Sequence, residues 1–258
     1  GRPFLLFCAL GRRFYLGFRV VFPLGLCLFL LRMEPIMTRP KIKICGITRL
    51  EDIELALSLG ADYIGINVYE RSPRSVPIER VAELLEAIPK GKRVLVDVAT
   101  PTDLLAQYRE LPFDFFQIHF DLDIAIATVA GWSGLVGAER LWLAPRIPPQ
   151  ELHFPQIIME FAETMLVDAY AKGQYGGTGH TGNWQAYLDW SALYQHKHWI
   201  LAGGLNPANV GEAISICQPE IVDLASGVES EPGIKDPKLL SALFDAIDQA
   251  TPDLDHER

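Results

Sequence analysis

From residue 41 onward the chain alternates short apolar runs with segments of helical periodicity, and this order constrains the fold more than any other feature. Eight runs predict strands, at residues 41–45, 62–67, 93–98, 114–119, 140–144, 164–168, 199–202 and 221–225. Helices are predicted at residues 49–59, 78–88, 101–109, 121–130, 183–194, 206–217 and 236–250, and a short or broken one within 148–162 around Pro155. Eight such β–α units in about 220 residues favour a single (β/α)8 TIM barrel over a doubly wound open sheet.

Residues 1–36 do not share this pattern. They contain no Lys, Ser, Thr, Asp, Asn or Gln, and their apolar stretch at residues 20–31 is shorter than the roughly 20 residues that span a bilayer. They also lack the cleavage site of a signal peptide and the Ser of a transit peptide. We interpret residues 1–36 as a leader outside the fold, left by a start that belongs at Met33 or Met37, with a membrane-associated leader as the alternative. Residues 37–258 are then one catalytic barrel domain.

Charge and cysteine content narrow the function. The chain has a formal net charge of −9, and its acidic excess lies after residue 36, which argues against a nucleic-acid-binding surface. The four cysteines, Cys8, Cys27, Cys45 and Cys217, show neither paired spacing nor a C-x-x-C motif. We therefore expect no disulfide framework, no metal site, no membrane partner and a cytoplasmic location.

Candidate catalytic residues lie where predicted strands end, because chemistry in parallel α/β barrels occurs at the carboxyl ends of the strands. Cys45 ends the first strand, where Gly46 allows a sharp turn, and Asp168 ends the sixth. A thiol and a carboxyl group in one site suit proton abstraction by one and proton donation by the other. Taken singly, Cys45 could be a buried structural cysteine and Asp168 a capping residue.

Glycine-containing turns follow the last two predicted strands. Gly203 and Gly204 follow the seventh, and Ser226 and Gly227 follow the eighth. Barrels frequently bind phosphate at these two turns through unhindered backbone N–H groups, although tight turns need glycine for geometry alone. A glycine-rich loop at residues 172–182 follows the sixth strand and is interpreted as a cover or a phosphate cradle, with a plain long connection as the alternative.

Four motifs together carry a family resemblance. They are residues 43–48 (KICGIT), 176–179 (GGTG), 202–207 (AGGLNP) and 226–236, from SGVE through PG to KD. In combination they resemble phosphoribosylanthranilate isomerases, collinearly from residue 41 to about 249. The resemblance implies a (β/α)8 barrel without metal or organic cofactor, a phosphorylated small-molecule substrate and an Amadori rearrangement in tryptophan biosynthesis. We expect a monomer or a homodimer.

The resemblance also implies residue roles. Cys45 matches the general base and Asp168 the general acid. Arg74 matches the arginine that holds the anthranilate carboxylate, although it could be a solvated loop charge, and Gln117 and His119 match substrate-binding positions. Phosphate is expected on Gly203, Gly204, Ser226 and Gly227.

Some positions depart from the family pattern. Asp97 and Phe120 stand where glycine is usual, and His180 stands where lysine is usual. We expect these changes to touch the pocket wall and the glycine-rich loop, with Asp97 adding negative charge near an anionic substrate. They motivate an alternative function, a catalytically weakened or re-specialised sugar-phosphate-binding barrel. The related histidine-pathway isomerase is disfavoured, because Cys45 stands where the first of its two aspartates would be.

Overall fold

The structure is a computed structural model that describes residues 19–21, 27–29, 38–147, 154, 156–168 and 184–251. The chain divides into two compact units, Gly1–Thr38 and Arg39–Arg258. In the first unit, the strands Arg19–Val21 and Cys27–Phe29 pair antiparallel. Within the described ranges, no helix is both long enough and apolar enough to cross a bilayer.

The second unit is a closed barrel of eight parallel strands, each followed by a helix, as predicted. The strands are β1 (Lys41–Cys45), β2 (Tyr63–Asn67), β3 (Arg93–Val98), β4 (Phe115–Asp121), β5 (Leu141–Arg146), β6 (Thr164–Asp168), β7 (His198–Ala202) and β8 (Ile221–Leu224). The helices are α1 (Leu50–Ser58), α2 (Ile78–Glu86), α3 (Thr102–Tyr108), α4 (Ile126–Val136), α5 (Gln156–Met159), α6 (Trp184–Leu193), α7 (Val210–Cys217) and α8 (Pro237–Ala250). The barrel closes where β8 pairs with both β7 and β1.

The barrel interior is filled at its amino-terminal end and open at the other. Phe115 stacks on Trp142 with ring centroids 4.9 Å apart, and the Tyr63 ring meets Trp142 edge-on at 5.1 Å. Towards the carboxyl ends of the strands the interior cluster contains the small residues Ala144 and Ala202. Large side chains therefore close one end of the barrel, and small ones leave room for a cavity at the other.

Helix α4 begins five residues later than predicted, at Ile126 rather than Asp121. The reason is that β4 continues through Asp121, which pairs with Arg146 of β5, before the chain turns into the helix. The helix also runs past Gly131, where a Cβ would lie 2.9 Å from the Thr102 side chain, so glycine permits close contact with α3.

Two other helices follow the capping chemistry of their sequences. Helix α7 begins at Val210 rather than at residue 206, because the Asn206 N–H donates to the Asn209 side chain at 2.8 Å and holds a turn there. Helix α8 begins after Asp236, whose carboxylate accepts from the N–H groups of Lys238 and Leu239. Helix α5 has only four residues, as expected for the region around Pro155.

Candidate active site

A cavity of about 400 Å³ opens at the carboxyl ends of the strands. The residues singled out from the sequence come from β1, β4, β6 and the loops after β2, β7 and β8, yet all of them line this cavity. They are Cys45, Arg74, Gln117, His119, Asp168, Gly203, Gly204, Ser226 and Gly227. The fold thus brings together the nine residues that the sequence proposed for catalysis and for substrate and phosphate binding.

Cys45 lies at the end of β1 with only 8% of its surface exposed. Burial raises the pKa of its thiol and the Asp223 carboxylate raises it further, whereas the ammonium groups of Lys43 and Lys235 oppose the shift. The result is a raised pKa, so the thiol form predominates in the unliganded site at neutral pH. Two nearby cations are therefore the groups that favour a thiolate here.

Asp168 ends β6, where it pairs in register with Ala202 of β7, and its side chain is exposed to the cavity mouth. Asp168 and Cys45 are contributed by strands on different sides of the barrel and line the same cavity. A solvated carboxyl group and a buried thiol therefore border one space, which is the arrangement that acid–base chemistry on a bound molecule requires.

The loop after β2 holds Arg74 in place through its own polar side chains. The Asn67 side-chain oxygen Oδ1 accepts from the Tyr69 N–H at 2.9 Å, and its side-chain nitrogen Nδ2 donates to the Ser72 hydroxyl at 3.2 Å. The Ser72 hydroxyl in turn accepts from the Arg74 N–H at 3.1 Å. Gly46 leaves space for the Arg74 side chain, because a Cβ at Gly46 would collide with its Cδ.

Arg74 is not a solvated loop charge, because the buried side chain of Glu229 holds it. Its Nε and Nη2 donate to Glu229 over 2.7 to 3.1 Å. Lys235 lies opposite Glu229 in a short hairpin, and its ammonium donates to Glu229 at 2.8 Å and to the Cys45 carbonyl at 2.6 Å. Burial acts to raise the pKa of Glu229, but Arg74 and Lys235 outweigh it and lower that pKa. This network connects Arg74 to the backbone of Cys45.

Gln117 and His119 are two residues apart on β4 and both face the cavity. The Gln117 amide nitrogen lies 2.8 Å from His119 Nε2. In this orientation Gln117 Oε1 is buried without a hydrogen-bond partner among the described residues. Burial, followed by the charge of Lys43, lowers the pKa of His119 to about 4, so its imidazole is neutral at physiological pH.

The turns after β7 and β8 pack backbone against backbone. Gly203 and Gly204 have φ values of 90° and 66°, a left-handed conformation that favours glycine. The Gly204 carbonyl accepts from the side-chain amide of Asn209 at 3.0 Å. A Cβ at Gly227 would collide with the Leu205 carbonyl oxygen. Glycine is therefore favoured by the left-handed backbone at residues 203 and 204 and required by close backbone approach at residue 227.

The expectation that Asp97 and Phe120 form part of the pocket wall is wrong. Side chains alternate along a strand, and Val96 and Val98 line the cavity while Asp97 does not. Asp97 is 4% exposed and accepts from the Thr100 hydroxyl at 2.7 Å. The Phe120 ring meets Trp132 of α4 edge-on at 5.5 Å, so it packs in the outer core.

The glycine-rich loop 172–182, with His180, lies outside the described residues. Four charged residues beneath the cavity were given no individual role from the sequence: Lys43, Asp223, Glu229 and Lys235. Lys43 was detectable, because a lysine in the middle of a strand buried on both faces needs a counter-charge. In the described part of the chain, no group of three or more His, Cys, Asp or Glu is arranged to hold a metal ion.

Comparisons with known proteins agree with the fold and the motifs. A family model for N-(5'-phosphoribosyl)anthranilate (PRA) isomerase matches residues 42–246. The chain is 37% identical to N-(5'-phosphoribosyl)anthranilate isomerase of Aquifex aeolicus over 200 residues, which cover 76% of this chain and 92% of the relative. It is 35% identical to that of Neisseria gonorrhoeae over 210 residues, or 81% and 96% of the two chains.

Solved structures give the same assignment. The crystal structure of phosphoribosyl anthranilate isomerase from Thermus thermophilus superposes with a TM-score of 0.65 at 29% identity, covering 81% of this chain and 98% of the other. The enzyme from Thermotoga maritima superposes with a TM-score of 0.67 at 26% identity, covering 81% and 99%. Because the family model and these relatives match most of the chain and the fold agrees, the chain belongs to the phosphoribosylanthranilate isomerase family, whose members are isomerases of tryptophan biosynthesis.

Proposed function

We propose that this chain converts N-(5-phosphoribosyl)anthranilate to 1-(2-carboxyphenylamino)-1-deoxyribulose 5-phosphate, an Amadori rearrangement in tryptophan biosynthesis. The observation that carries the proposal is the single cavity that combines a thiol, an exposed carboxyl group, a fixed guanidinium group and two glycine turns. These groups match a substrate with an anionic group at each end and a proton transfer between them.

Two cavity regions provide for the two anionic ends of the substrate. The turns after β7 and β8 offer unhindered backbone N–H groups and the Ser226 hydroxyl to the phosphate. Arg74 uses Nε and Nη2 to hold Glu229, so its Nη1 donors are those available to the anthranilate carboxylate. This local arrangement accommodates an anionic substrate in a chain whose net charge is −9.

The reaction then needs one acid and one base. Asp168 gives its proton to the ribose ring oxygen as the C1–O bond breaks, and the nitrogen lone pair forms the C=N bond of a Schiff base. Cys45, as thiolate, takes the proton from C2, and the electrons of that bond form an enolamine that tautomerises to the ketone. Atoms and electrons balance within the substrate, so no oxidant or reductant is consumed.

Gln117 and His119 contribute neutral hydrogen bonds in this proposal. A buried carbonyl oxygen without a partner costs free energy, and a substrate N–H or O–H donor that reached Gln117 Oε1 would remove that cost. The neutral His119 orients the Gln117 amide.

The alternative, a weakened or re-specialised sugar-phosphate-binding barrel, loses part of its support. Two of the departures that motivated it, Asp97 and Phe120, lie away from the cavity, and the third, His180, lies outside the described residues.

Purified variants test the proposal directly. We expect Cys45→Ala and Asp168→Asn each to lower kcat by at least about 100-fold, the lower end of general acid–base contributions. Binding of a product analogue should survive, since Arg74 and the phosphate turns remain. Cys217→Ala, a buried thiol on α7 outside the cavity, is the matched control and should keep wild-type turnover.

A second measurement decides between the isomerase and the alternative. Residues 37–258 should restore growth of a tryptophan auxotroph that lacks the isomerase, and Cys45→Ala should not. Failure of the wild-type protein to restore growth and to turn over the substrate in vitro would support the weakened barrel.

We further propose a monomer or homodimer in the cytoplasm. A relative of 25% identity from Thermotoga maritima is described as dimeric, and the cysteines Cys45 and Cys217 are free thiols here, as in a reducing compartment. Light scattering after size exclusion should give a mass of one or two chains; a larger assembly would contradict this.

A further inference from the structure

A buried ion pair lies directly beneath Cys45, and the proposed reaction gives it no role. Lys43 and Asp223 are register partners on β1 and β8, and the Lys43 ammonium donates to the Asp223 carboxylate at 2.9 Å. The Lys43 side chain is 0% exposed. A buried ion pair contributes little to stability compared with apolar residues of similar volume, so stability alone does not account for it.

Lys43 and Cys45 face the same side of β1, since side chains two residues apart on a strand share a face. Both lie against Gly65 of β2: a Cβ there would lie 3.0 Å from Cys45 Sγ and 3.2 Å from Lys43 Cε. Glycine at residue 65 therefore leaves a small space that the thiol and the end of the lysine side chain both border. An ammonium and a thiolate that border the same small space, shielded from water, attract each other strongly.

The charges around Cys45 come from several elements. Lys235 and Glu229 form one neutral pair and Lys43 and Asp223 another, leaving the Arg74 guanidinium in excess. The neutral His119 adds no charge. Besides Cys45 itself, the titratable and charged groups of the cavity and the network beneath it are Lys43, Tyr69, Arg74, His119, Arg146, Asp168, Asp223, Glu229 and Lys235.

We propose that Lys43, held by Asp223, is a positioning residue for the reaction: its ammonium stabilises the thiolate that Cys45 needs in order to act as a base. The inference rests on the proposed function, because only a base mechanism requires the thiolate.

The electrostatics of the pair agree with this role. Burial acts to lower the pKa of Lys43, but Asp223 and Cys45 outweigh it and raise that pKa, so Lys43 remains an ammonium group at neutral pH. The same ammonium lowers the pKa of the Cys45 thiol, whereas Asp223 raises it. Asp223 therefore keeps Lys43 charged and in place, and Lys43 acts on Cys45.

The test compares Asp223→Asn with the double variant Asp223→Asn/Lys43→Met. Lys43→Met alone would leave a buried carboxylate unpaired and could prevent folding. In the Asp223→Asn background no such carboxylate remains. Because Asp223 helps to keep Lys43 protonated, Asp223→Asn/Lys43→Arg is measured as well, since a guanidinium stays charged without that carboxylate. Iodoacetamide alkylation of the peptide that contains Cys45, followed by mass spectrometry from pH 6 to 10, gives the midpoint of thiol ionisation without any turnover.

We expect Asp223→Asn to move the alkylation midpoint below that of wild type. Adding Lys43→Met should raise it by about one pH unit, which is a tenfold loss of thiolate at neutral pH. With the proposed substrate, the double variant should have a kcat about tenfold below that of Asp223→Asn, with KM within threefold. His198→Gln/Glu220→Gln removes a hydrogen-bonded pair at the other end of the barrel and should leave the midpoint unchanged.

Equal midpoints in folded Asp223→Asn, Asp223→Asn/Lys43→Arg and Asp223→Asn/Lys43→Met, or a KM effect without a kcat effect, would overturn the role of Lys43. A shifted midpoint in a chain that does not isomerise the substrate would uphold the thiolate effect of Lys43 and overturn the proposed function instead.

Discussion

The Arg74 guanidinium donates to both carboxylate oxygens of Glu229, although 155 residues separate them in the sequence. Glu229 is almost completely buried and also accepts from Lys235. The carboxylate thus fixes the guanidinium in one orientation before any ligand arrives, which lowers the entropy cost of binding a substrate carboxylate. Glu229 carries no proposed chemistry, yet it sets the geometry of the proposed carboxylate site.

We expect Glu229→Gln to raise KM about tenfold, equivalent to 1.4 kcal/mol of binding, with a smaller change in kcat. The amide keeps the shape but loses the charge that orients Arg74 and pairs with Lys235. Steady-state kinetics with the phosphorylated anthranilate substrate give both constants.

Glu231→Gln, an exposed position in the same hairpin, is the matched control and should behave as wild type. A Glu229→Gln protein with unchanged KM and an unchanged melting temperature would mean that Arg74 needs no fixed partner.

The alternation of strands and helices was sufficient to predict the closed barrel. Because functional residues of such barrels lie at the carboxyl ends of the strands, Cys45 and Asp168 could also be predicted to share one site. The sequence did not predict correctly which face of its strand each side chain occupies. Asp97 lies one residue before the end of β3, but the face it occupies depends on register, and an offset of one residue turns it from the cavity to the outer layer. In β1, the alternation of residue types over residues 41–45 indicated which side chains share a face, and Lys43 and Cys45 both face inward.

Long-range contacts were also inaccessible from the sequence. Lys235 donates to the Cys45 carbonyl across 190 residues, and nothing in the pattern around either residue indicates the other. The hairpin that places Lys235 opposite Glu229 is only a few residues long, and it lies between the last predicted strand and the last predicted helix, where no strand was predicted.

Gly227→Ala should weaken substrate binding and destabilise the fold. The added Cβ would collide with the Leu205 carbonyl, so the turns after β7 and β8 must separate where phosphate is proposed to bind. We expect a loss of about 1–3 kcal/mol in the free energy of unfolding and a rise in KM. Urea denaturation and steady-state kinetics measure the two effects.

Gly134→Ala is the opposite case and serves as the control. Gly134 lies on the exposed side of α4, and a Cβ there meets nothing within 4 Å. Alanine should stabilise the protein by about 0.5–1 kcal/mol with kinetics unchanged. If Gly227→Ala behaved like Gly134→Ala, the close approach of the two turns would have no functional importance.

Removal of residues 1–36 should leave the barrel intact. The composition of this stretch breaks from the rest at Met37, and the family match begins at residue 42. A protein of residues 37–258 should unfold cooperatively and match the full chain in kcat/KM. Loss of a cooperative transition on truncation, seen by circular dichroism, would instead assign the leader to the fold.

The ionisation of His119 predicts a pH dependence of stability. Its pKa is lowered to about 4 in the folded protein, whereas an unfolded histidine titrates near 6.5. Between these values the unfolded chain binds the proton and the folded chain does not. Stability from this residue is therefore complete above about pH 6.5 and is lost as the pH falls towards 4.

His119→Gln removes that titration. We expect the wild-type protein to lose about 2 kcal/mol more than His119→Gln between pH 6.5 and 4, because the folded state disfavours the imidazolium form. Urea unfolding at half-unit steps of pH gives the two curves. His196→Gln, an exposed histidine after α6, should follow the wild-type curve. Parallel curves for wild type and His119→Gln would mean that His119 binds a proton in the folded protein as readily as in the unfolded chain, and its pKa would then not be lowered by folding.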